Sequence, residues 1–367
     1  MKKILFLINT LNCGGAELVL VNLANELSAN GYDVTIQTLS DRGVFKDNLI
    51  ESVKYKTIVK INKGIIFKVL LYFVSFIVPP SITHKLFVGN DYDCEVAFLE
   101  GIPTKIISAS SNKNSKKYAW VHVDLYNTFG LEKVFPDMEK HIEAYRKFDK
   151  IICVSQTVKE AFIKRFGITD NLDVKYNIID NEAITIKAGE HLEKGDKFRI
   201  VSVGRLEKRK GFDRLLKVMK KLSDESINCE LLIVGEGSVR DELTAYIKNN
   251  NLSHIVTLVG FSDNPYKYMQ SADLCVFPSR AEGYSTVVTE AVILGKPIVV
   301  SNCSGMKEIL GNSEYGIVTE TDDELYKSVK NMILDDKLRE EYSSKAKERS
   351  KDFSKETMLN NIIDLFK

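Results

Sequence analysis

Two glutamates, Glu282 and Glu290, stand beside a short turn whose backbone could hold an anion. Glu290 follows Glu282 by eight positions, which is about two turns of a helix. The turn precedes a predicted helix, so its N–H groups and the positive end of the helix dipole favour a phosphate. Its residues are Gly283, Tyr284, Ser285 and Thr286. An anion site beside two carboxylates suits a ligand with phosphates and hydroxyls, such as a nucleotide sugar.

The elements that must position these residues form a strand–helix–strand unit. Residues 274–277 and 298–300 are short apolar runs, typical of strands buried on both faces of a parallel sheet. The hydroxyls of the turn are good caps for the helix between them, and Gly295 and Pro297 end that helix. The turn therefore lies at the carboxyl end of a strand, where open α/β sheets bind ligands.

The two glutamates and their neighbours, E-G-Y-S and E-A-V-I-L-G-K-P, resemble the Glu-x7-Glu signature of family-4 glycosyltransferases. The alternative interpretation is a pair of solvated glutamates, one in a loop and one on a helix. The resemblance implies a retaining enzyme with the GT-B fold, which moves a hexose from a nucleoside diphosphate sugar, most often UDP-linked, without a metal. It also implies that Glu290 accepts from the ribose hydroxyls and that Glu282 holds a hydroxyl of the donor sugar.

A basic loop follows the predicted strand 198–203. Residues 197–221 hold ten Lys and Arg residues against two acidic ones, which suits a bound diphosphate. V-G-R-L-E-K-R-K-G resembles the family's Arg and Lys pair, here Arg205 and Lys210, and the alternative is a solvated basic face. Lys208 and Arg209 stand close enough to compete for the role of Lys210. The pair would stabilise the charge of the leaving diphosphate, and front-face attack by the acceptor is the working hypothesis.

Two further loops of the second half resemble the family's nucleoside site. Gly235 stands in a G-E-G sequence after an apolar run. The third glycine of a dinucleotide fingerprint is missing, so by itself the pattern is weak. Phe261 follows the predicted strand that ends at Gly260, where the family's backbone contacts the base. The resemblance makes both residues donor-binding candidates.

The first half opens with a predicted strand at residues 4–8 and a helix at 16–29. Gly14 and Gly15 lie between them, where the backbone could approach a ligand. The alternative is a plain turn that contains glycines. The sequence G-G-A-E resembles the family loop that faces the donor phosphates and the acceptor. His122, in W-V-H-V-D, resembles the family's histidine that touches the donor sugar, although a lone histidine is more often structural.

The order of these motifs predicts an α/β chain with two Rossmann-like, doubly wound domains that face a central cleft. The expected bounds are residues 1–181 for the acceptor domain and 196–353 for the nucleotide-sugar domain. Residues 181–197 are polar and are predicted to be the linker. A helix near 354–367 is expected to pack back on the first domain, as in GT-B proteins.

Composition narrows the choice of partners. The chain has 367 residues and a formal net charge of +1, so no overall field favours nucleic acid. The histidines show no metal-ligand spacing, so no metal site or cofactor is expected. The cysteines are scattered and residues 4–8 are too short for a secretion signal, which favours a reducing, cytosolic compartment.

A basic and apolar segment suggests a membrane surface. Residues 52–90 contain six lysines and no acidic residue, and within them residues 65–78 are almost wholly apolar. A span of the bilayer needs about 20 apolar residues, so this stretch is too short to cross it. It is expected to lie on an anionic surface at the inner face of the cell membrane, and the alternative is a buried core helix. The acceptor is then expected to be a polyprenyl-linked glycan of a bacterial surface polysaccharide.

Two other classes of function remain open at this point. A sugar-nucleotide epimerase of the same fold would act on the nucleotide sugar without an acceptor. A non-catalytic protein that binds a sugar nucleotide could support another transferase. Incubation with the donor alone separates an epimerase from a transferase. A need for a companion protein would favour the non-catalytic partner.

Overall fold

The computed structural model describes residues 1–12, 14–126 and 134–367, so Cys13 lies outside the described residues. The chain forms two compact units, each built around its own sheet. The first unit comprises Met1–Ile178 and Met358–Lys367, and the second comprises Ile179–Thr357. The first unit ends three residues before the predicted 1–181, and the second unit extends beyond the predicted 196–353 at both ends.

The first unit contains a parallel sheet of seven strands in the order β3-β2-β1-β4-β5-β6-β7. Its central strands are almost fully buried because helices cover a parallel sheet on both faces. The strands are Lys3–Ile8 (β1), Asp33–Ser40 (β2), Lys54–Val59 (β3), Cys94–Ala97 (β4), Lys116–Val121 (β5), Lys150–Cys153 (β6) and Leu172–Val174 (β7).

The helices of the first unit are Gly15–Ala29 (α1), Gly64–Tyr72 (α2), Pro80–Thr83 (α3), Ile102–Ile107 (α4), Met138–Tyr145 (α5) and Gln156–Phe166 (α6). The last of these shows how local sequence sets the bounds. The Ser155 hydroxyl accepts from the backbone N–H of Val158 at 3.1 Å and caps the helix start. Gly167 ends the helix in the left-handed conformation, with φ +65°.

The apolar segment at 65–78 is not a core helix. Helix α2 is followed by a π-helical turn, Phe73–Ile77, and α3 by another, His84–Val88. Most of the large apolar side chains along these elements are exposed, and Phe67 is the buried one within α2. The alternative of a buried core helix is therefore wrong.

The second unit contains a parallel sheet of six strands in the order β10-β9-β8-β11-β12-β13. The strands are Phe198–Val203 (β8), Cys229–Val234 (β9), Val256–Gly260 (β10), Leu274–Phe277 (β11), Ile298–Ser301 (β12) and Ile317–Thr319 (β13). Both sheets alternate with helices along the chain, which confirms the predicted fold of two Rossmann-like, doubly wound halves.

The helices that begin in the second unit are Asn181–Ala188 (α7), Phe212–Asp224 (α8), Arg240–Asn249 (α9), Tyr266–Ser271 (α10), Thr286–Ile293 (α11), Met306–Ile309 (α12), Asp322–Leu334 (α13), Asp336–Arg349 (α14) and Lys355–Ile363 (α15). One face of α8 is apolar and packs against the sheet in the main core of this unit. The last helix, α15, crosses the boundary between the two units along the chain.

The predicted linker 181–197 is wrong in its first half. Asp180 caps α7, with its carboxylate accepting from the N–H of Ala183 at 2.9 Å. Ile184 and Ala188, one helical turn apart, bury their side chains in a small cluster with Tyr266. A segment with a cap and a buried face is an element of the second unit, although its outer residues make it polar in composition.

Candidate functional site

Loops from three neighbouring strands of the second unit meet at the carboxyl edge of its sheet. The N–H of Gly204, after β8, donates to the carbonyl of Val234 at 3.0 Å. The N–H of Gly235, after β9, donates to the carbonyl of Gly260 at 2.8 Å. Gly235 has φ +146°, and a Cβ there would lie 2.0 Å from the Gly204 carbonyl oxygen. The predicted donor residue Gly235 therefore serves a close contact between two of these loops.

The basic loop after β8 is held against the loop after β11. Gly211, at φ +70°, approaches Pro278 so closely that a Cβ would lie 2.0 Å from the Pro278 carbonyl oxygen. The N–H of Arg280 donates to the carbonyl of Arg209 at 2.7 Å, and the Arg280 guanidinium makes two hydrogen bonds of 2.7 Å to the carboxylate of Asp213. These contacts bring the lysine and arginine side chains to the residues that precede α11.

Glu282 is the centre of the resulting cluster. Its Oε1 accepts from Lys210 Nζ at 2.6 Å and from the Ser279 hydroxyl at 2.7 Å. Its Oε2 lies 3.8 Å from Nη1 of Arg209. The Glu282 side chain is almost fully buried, and a buried polar group needs hydrogen-bond partners of this kind. The structure thus joins Glu282 and Lys210, two residues that the sequence singled out separately.

Glu290 lies on α11 with its side chain buried. Burial raises the pKa of this carboxyl to about 7, and the Lys210 charge and a hydrogen bond with the Tyr266 hydroxyl lower it in part. The neighbouring Glu290 charge, followed by burial, raises the pKa of Tyr266 well above its usual value. Lys210 therefore pairs directly with Glu282, and its charge also favours the ionised form of Glu290.

Arg205 stands apart from this buried cluster. Its Nη1 lies 3.2 Å from Glu207 Oε1, while Arg209 Nε lies 2.8 Å from Glu207 Oε2. Both guanidiniums are partly exposed. Of the competing cations, Lys210 therefore lies within hydrogen-bond distance of Glu282. The Arg205 guanidinium lies nearer to the solvent, where it can bind an anionic ligand.

The turn at residues 283–286 leads into α11, whose first residue is Thr286. Ser285 occupies the N-cap position, but its hydroxyl makes no capping hydrogen bond, so the predicted capping by that hydroxyl is wrong. The Ser285 Oγ atom is buried and has no hydrogen-bond partner among the described residues. A buried hydroxyl in this state is a place where a ligand oxygen would complete the hydrogen bonding.

Gly305 packs closely against the backbone of this turn, since a Cβ at Gly305 would lie 2.5 Å from the Gly283 carbonyl oxygen. The side chain of Tyr284, a residue of the turn, is buried. Phe261, the predicted contact of the base, follows β10 and is 57% exposed. An aromatic ring left in solvent at the carboxyl edge of the sheet offers a surface for stacking.

His122, a candidate residue of the first unit, is buried at the carboxyl end of β5. Burial lowers the pKa of its imidazole to about 3, so the ring is neutral at physiological pH. Its centroid lies 4.7 Å from that of Phe98, and its Nε2 atom has no hydrogen-bond partner among the described residues. The ring can therefore offer a ligand a neutral hydrogen bond rather than a positive charge.

Glu100 supports the backbone at His122 and was not singled out by the sequence analysis. Its Oε1 accepts from the backbone N–H of His122 and, at 3.1 Å, from that of Val123. Burial raises the pKa of this carboxyl to about 7, and the two N–H donors oppose that shift. It links the ends of β4 and β5, and its place directly after a strand was the available clue.

The glycines after β1 are less constrained than expected. Gly14 is the N-cap of α1, and the atoms nearest to a Cβ there would be those of the flexible Glu17 side chain. Gly15 is the first residue of α1. The residue that requires glycine is Gly43, at φ +140°, where a Cβ would lie 1.9 Å from the Leu11 carbonyl oxygen. The loop after β2 therefore packs closely against the backbone of the loop after β1.

Within the described residues, no group of three or more His, Cys, Asp or Glu side chains is arranged to hold a metal ion. Three residues that the sequence analysis missed support the two glutamates. Ser279 donates to Glu282, Tyr266 hydrogen-bonds to Glu290, and Arg280 holds the loop of Glu282 through Asp213. Tyr266 lies in a different helix and carries no motif. Arg280 stands two residues before Glu282, where its place in the loop was the clue.

Comparison with known proteins gives three kinds of match. Residues 184–349 match the model of the family "Glycosyl transferases group 1". N-acetylgalactosamine-N,N'-diacetylbacillosaminyl-diphospho-undecaprenol 4-alpha-N-acetylgalactosaminyltransferase of Campylobacter jejuni is 38% identical over 223 residues, which cover 60% of each chain. The amylovoran biosynthesis glycosyltransferase AmsD of Erwinia amylovora is 24% identical over 374 residues, covering 100% of this chain and 99% of that protein.

Among solved structures, HepE of Anabaena in complex with UDP superposes with a TM-score of 0.77. The match covers 100% of this chain and 99% of HepE, at 21% identity. At that level of identity the likeness concerns the fold. It agrees with the two parallel sheets described above.

Proposed function

We propose that the chain transfers a hexose from a nucleoside diphosphate sugar to a glycan acceptor, because residues 184–349 match the model of the glycosyl transferases group 1 family and the chain has the GT-B fold. This match confirms the family resemblance predicted from Glu282 and Glu290. The observation that carries the proposal is the position of Lys210. Its ammonium pairs with Glu282 at 2.6 Å, and its charge lowers the pKa of Glu290 on α11.

In this proposal the donor is a UDP-sugar. Its diphosphate lies at residues 284–286, where the α11 dipole and the Ser285 hydroxyl favour negative charge. Arg205 and Lys210 stabilise the charge that grows on the diphosphate as the bond to the sugar breaks. An ammonium group has three N–H donors, and Glu282 takes one from Lys210, so others remain for phosphate oxygens.

The two glutamates have different tasks in the proposed mechanism. Glu290, when ionised, accepts hydrogen bonds from the ribose hydroxyls. Glu282 holds a hydroxyl of the donor sugar through Oε2, since Oε1 already accepts from Lys210 and Ser279. His122 offers the sugar a neutral hydrogen bond, and the acceptor binds on the side of Gly14 and Gly15. Transfer proceeds with retention by front-face attack, without a metal, and the leaving phosphate takes the acceptor proton.

The acceptor in this proposal is a polyprenyl-linked glycan of a bacterial surface polysaccharide, at the inner face of the cell membrane. Support comes from two relatives. The name of the Campylobacter jejuni enzyme includes a diphospho-undecaprenol acceptor, and AmsD is named for amylovoran biosynthesis. The exposed apolar segment of the first unit is consistent with an acceptor of this kind.

Calorimetric titration with UDP, GDP and ADP, with and without Mg²⁺, tests the donor site. We expect micromolar affinity for UDP that Mg²⁺ does not change. Arg205→Ala should weaken UDP binding about tenfold or more, since a hydrogen bond to a charged group contributes about 1.5–3 kcal/mol. Lys220→Ala, in the ion pair with Asp224 on α8, is the matched control and should bind UDP normally. Failure of every nucleotide to bind would refute the proposed donor.

Turnover tests the chemistry separately. We expect Glu282→Gln to lose most transfer activity because it weakens the contact with Lys210 and the hold on the sugar. Near-normal transfer by this variant would remove Glu282 from the site. Incubation with UDP-sugars alone should give no epimerised sugar nucleotide, and a positive result there would replace the transferase with an epimerase.

A further inference from the structure

An exposed apolar surface lies on the first unit, formed by the bent helical segment at residues 64–88. Of the 21 large apolar residues that are exposed among the described residues, 11 lie in this segment. Ile65 is 78% exposed, Ile66 61% and Phe73 49%, and the others are Val69, Leu70, Tyr72, Phe76, Ile77, Ile82, Leu86 and Phe87. Such a concentration is not the scatter of single apolar residues found on any protein surface, and it marks an interaction site.

The opposite side of the segment is firmly attached to the first unit. Phe67 is buried, and the Arg42 guanidinium lies 4.0 Å from its ring centroid. The buried His84 ring meets Glu95 of β4, with Nε2 and Oε2 at 2.9 Å. The Gln37 amide of β2 donates to the Phe87 carbonyl at 2.9 Å. The exposed residues are therefore presented by a fixed scaffold and do not come from a frayed end.

Positive charge borders the apolar surface. Lys60, Lys63, Lys68 and Lys85 are all exposed, and the sequence from 52 to 90 contains no Asp or Glu. Lysine near an apolar helix face is drawn to anionic lipid and can keep its ammonium among the headgroups. A second copy of the chain fits less well, because a two-fold contact would set this basic surface against itself.

The shape of the segment fixes how it can meet a bilayer. No single described helix is both long and apolar enough to cross a membrane. Gly64–Ile77 and Pro80–Val88 reach the necessary length and apolar composition only when they are taken together, and they are bent by 115°. At 1.5 Å per residue the two arms are about 21 Å and about 14 Å long, against about 30 Å of hydrocarbon. With one side attached to the sheet, neither arm spans the bilayer.

We propose that residues 64–88 lie in the plane of an anionic membrane surface, with the apolar side chains in the headgroup region and the lysines on the lipid phosphates. The inference goes beyond the proposed sugar transfer, because it assigns a lipid-binding surface that needs neither donor nor acceptor. Its occupant is the phospholipid surface itself, and a polyprenyl chain is not required for binding.

Vesicle flotation of the full chain tests the proposal. We expect binding to vesicles of phosphatidylcholine with phosphatidylglycerol at low salt, weaker binding at high salt, and little binding to phosphatidylcholine alone. Ile66→Glu with Phe73→Glu should weaken binding about tenfold or more, because it replaces apolar side chains at the membrane surface with negative charges that anionic lipid repels. Ile186→Glu with Leu334→Glu changes two exposed apolar residues of the second unit and should bind like the wild type.

A charge variant separates the two contributions. Lys63→Glu with Lys68→Glu should abolish the preference for phosphatidylglycerol. Wild-type protein that stays unbound at low salt, or apolar variants that bind as well as the wild type, would overturn the proposal. A dimer seen by light scattering, lost in Ile66→Glu with Phe73→Glu and not accompanied by vesicle binding, would assign the surface to self-association instead. UDP titration of the same samples shows whether the donor site is intact, so the two proposals fail independently.

Discussion

At the scale of single residues, the site places two carboxylates of one motif in different environments. Glu282 is ion-paired with Lys210, whereas Glu290 is buried against the Tyr266 hydroxyl. The sequence predicted Glu282, Glu290 and Lys210 because their spacing and neighbours form a motif. Tyr266 could not be predicted in this way, since its contact with Glu290 arises only when two helices of the second unit pack together.

The environment of Glu290 makes the stability of the second unit depend on pH. A carboxyl whose pKa is raised to about 7 binds its proton more tightly in the folded chain than in the unfolded chain. The ionised form therefore destabilises the fold above pH 7, and the effect disappears as the pH falls towards the ordinary value of 4.5. Glu290→Gln keeps a partner for Tyr266 and should remove this effect.

We expect Glu290→Gln to raise the free energy of unfolding at pH 8 by up to about 3 kcal/mol, and to change it little near pH 4.5. Urea unfolding at several pH values measures the difference from the wild type. Glu242→Gln, at an exposed position of α9, is the control and should show no such dependence. An equal gain at both pH values would mean that ionisation of Glu290 is not the cause.

At the scale of elements, the predicted strands agree best where they are buried. Phe198–Val203 and Leu274–Phe277 have the predicted bounds because a central parallel strand is a continuous apolar run. Strand β3, Lys54–Val59, was missed because it lies at the sheet edge and alternates lysine with apolar residues. Helix α7 was missed because most of its surface is polar and its buried face is small.

The loop after β8 depends on one glycine for its contact with the loop after β11. We expect Gly211→Ala to lower the free energy of unfolding by about 2 kcal/mol, because the left-handed backbone there is strained for alanine. The added Cβ also meets the Pro278 carbonyl oxygen, so Lys210 should move away from Glu282 and UDP binding should weaken.

Urea unfolding and UDP titration measure the two effects of Gly211→Ala. Gly195→Ala is the matched control, since no atom lies within 4 Å of the added Cβ and its φ is outside the left-handed region. Wild-type stability and UDP affinity in Gly211→Ala would show that the loop can adopt a second arrangement.

At the scale of the whole molecule, the first unit is assembled from two distant parts of the chain. Residues 358–367 complete the core begun by residues 1–178. The Phe366 ring centroid lies 6.0 Å from those of Phe6 and Tyr118, and the Tyr118 hydroxyl donates to the Leu365 carbonyl at 2.9 Å. The apolar residues of this tail were visible in the sequence, but their partners near the N-terminus were not.

We expect Phe366→Ala to lower the free energy of unfolding of the first unit by about 3 kcal/mol, because a buried phenylalanine is replaced by a cavity. Thermal and urea unfolding measure this loss. Phe261→Ala removes the same side chain from an exposed position and should leave the unfolding free energy unchanged. Equal stability of the two variants would mean that the C-terminal tail does not support the core.

The tail also sets the order of events during synthesis. A ribosome delivers residues 1–178 first, then residues 179–357, and the segment with Leu365 and Phe366 last. The first unit therefore emerges with the place of Phe366 empty, whereas the second unit is one continuous stretch that can fold as soon as it is made. The half of the protein that is translated first is thus the half whose core is completed last.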